Sequence, residues 1–460
     1  MEKQRAERRR RVVLVPSPFQ GHMTPMLQLG TILYSNGFSI TVVHTHFNPP
    51  NPSNHPEFNF QSISDGLTAD DISTGINILI TNLLNVNCEA PFYECMVRMM
   101  EQQQQQQQQH PAGDDQIACI IYDEIFYFPE AAANQLNLQS IILRTTSAAT
   151  QISRLALLHL EEEGSSPLQD PNKLQDPVPG LHPLRFKDLP TYRHEIMEHY
   201  LQLITSMYKI RTSSAVIWNT MHYLEESSLA QLQQQCQVPI FPIGPFHKFA
   251  PFSTSCNFLN EDTSCISWLN NQAPESVIYV SLGSVASMDK KELEEMAWGL
   301  VNSKQPFLWV IRPSSNNAPE GIELLPEVLA EAVQENGCIV KWAPQKEVLS
   351  HVAVGGFWSH CGWNSTLECL CEGVPMICRP CFGDQRVNAR YVSHVWRTGL
   401  ELENELEREV VEKVVRRLMV GEEGEEMRQR AKNLKEEIEL CITEGGSSYK
   451  SLNEFLEFIN

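Results

Sequence analysis

Residues 342–385 read WAPQKEVLSHVAVGGFWSHCGWNSTLECLCEGVPMICRPCFGDQ and gather, with little between them, side-chain types suited to a sugar nucleotide. Trp342, ahead of Ala343 and Gln345, offers a flat face to an aromatic base; a tryptophan at a strand end serves equally well in a core. The run from His360 through Trp363, Asn364 and Ser365 to Glu368 reads as a strand end, a glycine-containing turn and a helix start. Asn364 and Ser365 stand where N-cap residues belong. Open N–H groups and the positive end of a helix dipole suit a diphosphate. His360 can add a donor, and Glu368, about one turn on, has two oxygens for a ribose diol. An ordinary capped helix without a ligand uses the same residue types. Asp384 and Gln385 carry donors and acceptors for sugar hydroxyls, or for water on a solvated loop.

A second candidate group lies far upstream. His22, in Phe19-Gln-Gly-His-Met-Thr-Pro, falls in a Gly- and Pro-containing loop after the first strand-like run. A neutral imidazole can accept a proton near neutral pH. A carboxylate on its other nitrogen fixes the tautomer and stabilises the imidazolium. Asp123 is the candidate carboxylate, although the sequence reads it equally as a helix cap. His44 and His46 have no partner that gives them a role, and are read as structural.

Short apolar runs position these residues. They fall at 11–16, 39–44, 118–123 and 140–145, then at 276–281, 306–312, 338–342, 354–359 and 374–378, with longer amphipathic stretches between. Continuous apolar strands separated by helices imply parallel sheets covered on both faces. The pattern occurs twice, so the fold class is α/β with two doubly wound domains. Ligands bind such sheets outside the carboxyl ends of the strands. His22, Asp123 and Thr145 in the first half, and Ser284, Trp342, His360 and Asp384 in the second, all stand at such ends. If the two edges are opposed, these residues line one cleft. The expected domains are 1–244 and 264–445, joined by a linker at 245–263, with a last helix at 446–460 packing back on the first domain. A glutamine tract within 101–116 is expected to be a disordered loop. Residues 161–179 are expected to form a mobile loop that could cover the acceptor.

At 460 residues the chain is too long for one ordinary core. Lys and Arg number 35 against 56 Asp and Glu, a formal net charge of −21, which argues against nucleic acid as a partner. No apolar run approaches the ~18 residues of a membrane span. The apolar stretch after Arg8, Arg9, Arg10 and Arg11 is too short for a secretory signal, so a cytoplasmic location is expected. The 13 cysteines are odd in number and scattered, which argues against a disulfide framework. Cys369, Cys371, Cys378 and Cys381 have partly zinc-like spacing, but 365–372 reads as helix, where residues two apart point to different sides. No metal site is expected. No glycine-rich dinucleotide fingerprint follows the first strand, no phosphate-binding loop with Gly-Lys-Ser/Thr occurs, and no Asp-x-Asp supports a metal-dependent sugar-nucleotide site.

Taken together, residues 342–385 resemble the signature box of plant secondary-product glycosyltransferases, the UDP-sugar-dependent family 1 enzymes. Phe19-Gln-Gly-His-Met-Thr-Pro-Met, Tyr279-Val-Ser-Leu-Gly-Ser284, Phe241-Pro-Ile-Gly-Pro-Phe and Gly445-Gly-Ser-Ser are similar to further motifs of that family. Gly37-Phe-Ser-Ile-Thr-Val-Val-His and Ala215-Val-Ile-Trp-Asn-Thr are similar to the branch with cytokinin, small-acid and steviol-glycoside glucosyltransferases. The resemblance implies two facing Rossmann-like domains of GT-B type, with the active site in the interdomain cleft. It implies an inverting, metal-independent reaction without a cofactor. On this basis Trp342 stacks on the uracil, Ala343 belongs to the UDP-sugar site, Gln345 and Glu368 hold the nucleoside, and His360, Asn364, Ser365 and Ser284 bind the diphosphate. Trp363, Asp384, Gln385 and Thr145 contact the sugar, His22 is the base and Asp123 its partner. A closing glutamine is associated in the family with glucose, so UDP-glucose is the expected donor. The expected acceptor is a small lipophilic terpenoid, phenolic or glycoside, in a pocket lined by Phe19, Met23, Phe92, Phe126 and Phe128. A monomer is expected. A non-catalytic sugar-nucleotide-binding protein, or an epimerase or hydrolase of sugar nucleotides, would share much of this pattern.

Overall fold

The computed structural model describes residues 10–109, 116–164, 167–209, 212–250, 260–283, 289–312, 326–403 and 405–460. They divide into two compact units. The first takes in Met1–Leu158, Thr191–Cys256 and Cys441–Asn460, the second His159–Pro190 and Asn257–Leu440.

The first unit holds β1 (Arg11–Val15), β2 (Ser39–Thr45), β3 (Asn59–Ile63), β4 (Ile117–Asp123), β5 (Ser140–Arg144), β6 (Ala215–Trp218) and β7 (Ile240–Pro242). Among the described residues these form a seven-stranded sheet in the order β3-β2-β1-β4-β5-β6-β7, every pairing parallel. The second unit holds β8 (Val277–Ser281), β9 (Phe307–Val310), β10 (Gly337–Val340), β11 (Val354–Ser359), β12 (Met376–Cys378) and β13 (Gly399–Glu401). Their six-stranded parallel sheet runs β10-β9-β8-β11-β12-β13. The central strands are fully buried, as helices on both faces require: Val12, Val13 and Leu14 in β1 and Ile278 and Val280 in β8 expose nothing.

Both strand orders reverse direction once, between β1 and β4 and between β8 and β11. At such a switch point the two connecting loops diverge and leave a crevice at the carboxyl ends of the strands. The residues that follow β1 and β4 therefore meet in the first unit, and those that follow β8 and β11 in the second.

Several expectations are corrected. The strands β3, β6, β7 and β13 were absent from the sequence reading. Asn59–Ile63 is an edge strand of polar, largely exposed residues. Ile240–Pro242 carries a proline, which only an edge position tolerates. Ala215–Trp218 and Gly399–Glu401 are too short to show a period. The glutamine tract continues the helix Glu89–Gln109 rather than forming a loop; residues 110–115 lie outside the described residues. Glutamine is a good helix former, and adding residues to an existing helix avoids the cost of nucleation.

Residues 159–190 join the second unit, not the N-terminal domain expected from their position. Ion pairs hold them there. The Arg185 guanidinium reaches Glu401 at 3.0 Å and Glu403 at 2.9 Å, and Arg390 donates to the Pro183 carbonyl at 2.9 Å. Where described, the stretch 161–179 is tied down as well: Asp176 accepts from the Phe186 amide and Val178 donates to Leu184. The expected linker begins later than residue 245, because Phe246–Phe249 is helical and Phe246 is fully buried in the first core. The helix Ser447–Ile459 lies in the same unit, with Phe455 5.4 Å from Phe241 between ring centroids.

The turn at Gly244 leaves no room for a side chain. A Cβ there would lie 2.5 Å from the Thr220 amide nitrogen and 2.7 Å from the Asn219 carbonyl carbon. Backbone cannot swing aside as a side chain can, so Gly244→Ala is expected to destabilise the first unit by roughly 1–3 kcal/mol. A thermal melt checks this; an unchanged midpoint would show that the turn relaxes freely.

Candidate active site

In the first unit the site begins on the helix Gln20–Ser35. Met23, Met26, Leu27 and Leu33 bury one face of it. His22 lies in its first turn, not in a loop as the glycine and proline suggested. Pro25, inside the helix, has no N–H to donate to the Gly21 carbonyl, and the helix continues without that bond. The β1–β4 switch point brings Asp123, the last residue of β4, against this turn. His22 Nδ1 lies 3.0 Å from Asp123 Oδ1 and 2.9 Å from Oδ2, and the carboxylate exposes nothing to solvent. Two carboxylate oxygens require a proton on Nδ1, which leaves Nε2 as the acceptor. Asp123 Oδ1 also accepts from the Ile125 amide at 3.1 Å, so the carboxylate is itself fixed. Thr145, expected at the sugar, has its hydroxyl 3.0 Å from the same Nδ1.

Burial opposes a charge on His22, but Asp123, by charge and hydrogen bond, and Glu124 behind it outweigh burial, so its pKa is raised above the ordinary histidine value. Half-buried Phe19 meets the His22 ring edge-on at 6.5 Å and Phe47 at 6.2 Å. Of the expected acceptor-pocket residues, Met23, Phe92, Phe126 and Phe128 are instead core: each is at most 2% exposed, and the three phenylalanines pack in sequence on one another. Their apolar character carried no sign of which side they face. Buried Asn85 was missed. It donates to the Ile125 carbonyl at 2.9 Å and accepts from the Tyr127 amide at 2.9 Å, clamping the loop that leaves Asp123.

In the second unit the β8–β11 switch point brings His360, next after β11, against Gly283, which follows β8. A Cβ on Gly283 would come within 2.4 Å of the imidazole, and one on Gly362 within 2.5 Å. The ring is thus packed between two glycines. Its Nδ1 is buried and, among the described residues, has no hydrogen-bond partner. Burial, with the Arg312 charge added, presses the His360 pKa down to about 4, so the ring is neutral. Ser284 lies outside the described residues.

The helix after this turn is Trp363–Glu372. Its N-cap is Gly362, two residues before the position expected, a residue with no side chain to cap it. Gly362 has the extended backbone of a cap, and Asn364 and Ser365 occupy the first turn. A helix N-terminus carries the positive end of the helix dipole, which suits an anion. Cys361 holds a left-handed φ of 64° in the turn, a strained conformation for a residue with a Cβ.

Gln345 opens the helix Gln345–Leu349. Its Nε2 donates to Glu368 Oε2 at 2.7 Å and to Ser365 Oγ at 3.0 Å. Burial pushes the Glu368 carboxyl above its ordinary range, against the pull of the Gln345 amide. Trp342 is half-buried, with Nε1 buried and without a hydrogen-bond partner among the described residues, and Ala343 is 4% exposed. Gln345 thus joins Ser365 and Glu368 across the two helices. Trp363 is 3% exposed and packs against Trp396 at 6.3 Å. Asp384 occupies the N-cap position of the helix Gln385–Arg390. The Gln385 Oε1 accepts from the Cys381 and Phe382 amides at 2.8 and 3.2 Å, leaving its Nε2 as the group to offer a ligand. Buried Asn388 donates to the Cys361 carbonyl at 3.0 Å and to Asp384 Oδ2 at 3.1 Å, and so links the His360 turn to Asp384. Sequence reasoning missed it; its place four residues after Asp384 on a helix was the available signal. Among the described residues no group of three or more His, Cys, Asp or Glu could hold a metal ion. No helix is long and apolar enough to cross a membrane, among the same residues.

Residues 190–430 match the family described as UDP-glucoronosyl and UDP-glucosyl transferase. The chain is 50% identical over 456 residues to UDP-glycosyltransferase 76E1 of Solanum lycopersicum, covering 99% of this chain and 93% of that one. It is 49% identical to flavonol 3-O-glucosyltransferase UGT76E12 of Arabidopsis thaliana, covering 98% and 97%. Among solved structures, it is similar to Os79 from O. sativa in complex with UDP, with a TM-score of 0.83, 26% identity and coverage of 98% and 100%. It is also similar to Phytolacca americana UGT2 complexed with UDP-2fluoro-glucose and pterostilbene, with a TM-score of 0.79, 25% identity and coverage of 98% and 99%.

Proposed function

The chain belongs to the UDP-glucoronosyl and UDP-glucosyl transferase family, among the plant family 1 glycosyltransferases of GT-B fold, and on that premise we propose that it transfers glucose from UDP-glucose to a small lipophilic acceptor. The sugar goes to a hydroxyl or carboxyl of a terpenoid, phenolic or existing glycoside, with inversion, giving a β-glucoside. The observation that carries this reading is the His22–Asp123 pair, which leaves Nε2 as a base. In the proposed step His22 takes the acceptor proton as the acceptor oxygen attacks the anomeric carbon from the face opposite UDP. Asp123 stabilises the imidazolium, and the displaced diphosphate is held by the N-terminus of the helix Trp363–Glu372, His360 and Ser284. No metal ion is needed, because these groups meet the developing charge. Trp342, Gln345 and Glu368 hold the nucleoside, and Asp384, Gln385 and Trp363 the sugar. The name of the Arabidopsis relative supports glucose as the sugar and a phenolic hydroxyl as one acceptor class.

The test is a panel of hydroxylated acceptors incubated with UDP-glucose, with and without EDTA, read by mass and by UDP release. The expected result is an acceptor that gains one hexose in β configuration, with matching UDP release and no loss in EDTA. Turnover of UDP-glucose without any acceptor would favour a hydrolase or epimerase. A clear loss in EDTA would sink the metal-free mechanism.

A further inference from the structure

Next to the His22–Asp123 pair lies a buried charge cluster that the proposed chemistry leaves unused. Glu124 follows Asp123 and is 1% exposed. Its Oε2 accepts from Arg144 Nη1 at 3.1 Å and pairs with Arg154 Nη1 at 3.2 Å, and its Oε1 accepts from the Thr146 hydroxyl at 2.9 Å. Arg144 ends β5, with its guanidinium 5.0 Å from the Trp218 ring centroid. Arg154 comes from the helix Ala148–Glu162. Both arginines are buried, at 7% and 8% exposed.

Buried charges cost far more than surface ones, and a fold gains little stability from them over apolar packing. Here two carboxylates, Asp123 and Glu124, stand against two guanidiniums, so the cluster is neutral when His22 is neutral. Proton uptake by His22 then adds one uncompensated positive charge to a region of low dielectric, where neighbouring charges are felt strongly. The charged groups acting on His22 are Asp123 and Glu124 at the end of β4, which favour its protonation, and Arg154 from the helix, which opposes it.

We propose that Glu124 and Arg154 are positioning residues that set, with opposite sign, how readily His22 accepts the proton. Glu124 adds to Asp123 in stabilising the imidazolium. Arg154 limits that effect and keeps the base free to work near neutral pH. This inference rests on the reading of His22 as the base.

The acid limb of kcat/KM against pH reports the essential base of the free enzyme. In Arg154→Met the limb should move to higher pH, and in Glu124→Gln to lower pH, each by about one unit or somewhat less, the low end of what a neighbouring charge does. Arg154→Lys keeps the charge and should restore the wild-type limb. A cluster that only holds the fold would lower kcat or the melting temperature in both variants without moving the limbs apart. Limbs that stay in place, or that move the same way, overturn the proposal. Glu124→Gln is nearly isosteric and decides alone if Arg154→Met does not accumulate as folded protein: a limb that fails to fall overturns the inference. His22→Ala separates the two levels. Wild-type turnover there would mean that the base assignment has failed, whereas an inactive His22→Ala with unmoved limbs in the other variants means that only the tuning has.

Discussion

His22→Ala should lose about 100- to 10,000-fold in turnover on a hydroxyl acceptor, the usual worth of a positioned general base. UDP affinity should stay near the wild-type value, because the residues assigned to the nucleotide belong to the other unit. The loss follows from geometry. Nδ1 is committed to Asp123 at 2.9 Å, so Nε2 is the ring atom that can take a proton. Asp123→Asn makes the complementary point. An amide no longer fixes the proton on Nδ1 and brings no charge to stabilise the imidazolium, so it should lose much of the same rate while leaving the ring in place. Turnover and UDP binding measured on the same preparations check both. An intact rate on a hydroxyl acceptor in His22→Ala would remove His22 as the base.

How much of this was legible depended on how local it was. The residues proposed to hold the nucleotide stand, apart from Ser284, in one short stretch of the second unit, and their spacing is visible in the sequence. The pairing of His22 with Asp123 spans much of the first unit, and it was read through the rule that strand ends gather ligands together with the family resemblance. That rule is physical, since the β1–β4 switch point is what brings them together. The Glu124–Arg144–Arg154 cluster was not legible, because each of these residues looks in sequence like an ordinary surface charge. The same holds for Arg185 with Glu401 and Glu403, whose ion pairs carry residues 159–190 to the second unit. Local backbone decided the smaller errors. Gly21 and Pro25 suggested a loop at His22, yet packing of Met23, Met26 and Leu27 holds a helix there. Asn364 and Ser365 suggested a cap, yet Gly362 takes the extended conformation first.

Gly283→Ala should weaken UDP binding by about 10- to 100-fold, the worth of one hydrogen bond to a charged group at roughly 1.5–3 kcal/mol. The proposed diphosphate site depends on the setting of His360, and Gly283 leaves that ring its space. A Cβ there would fall 2.4 Å from His360 Cε1 and 2.5 Å from Nε2, while φ of +74° adds strain for any residue with a side chain. The ring cannot retreat toward Gly362 without meeting that backbone, so it must turn out of the turn it occupies. Gly362→Ala separates the two causes. Its Cβ would lie 2.5 Å from Nε2, but its φ of −60° is ordinary, so only the ring is disturbed. Because His360 is held neutral, with its pKa down near 4, the loss should be of a donor and not of a charge. It should therefore change little between about pH 6 and pH 8, well above that pKa. Calorimetric titration with UDP on folded protein checks all three points. Wild-type affinity in both alanine variants would show that His360 does not hold the diphosphate. A loss confined to Gly283→Ala would assign the effect to the backbone of that turn instead of the imidazole.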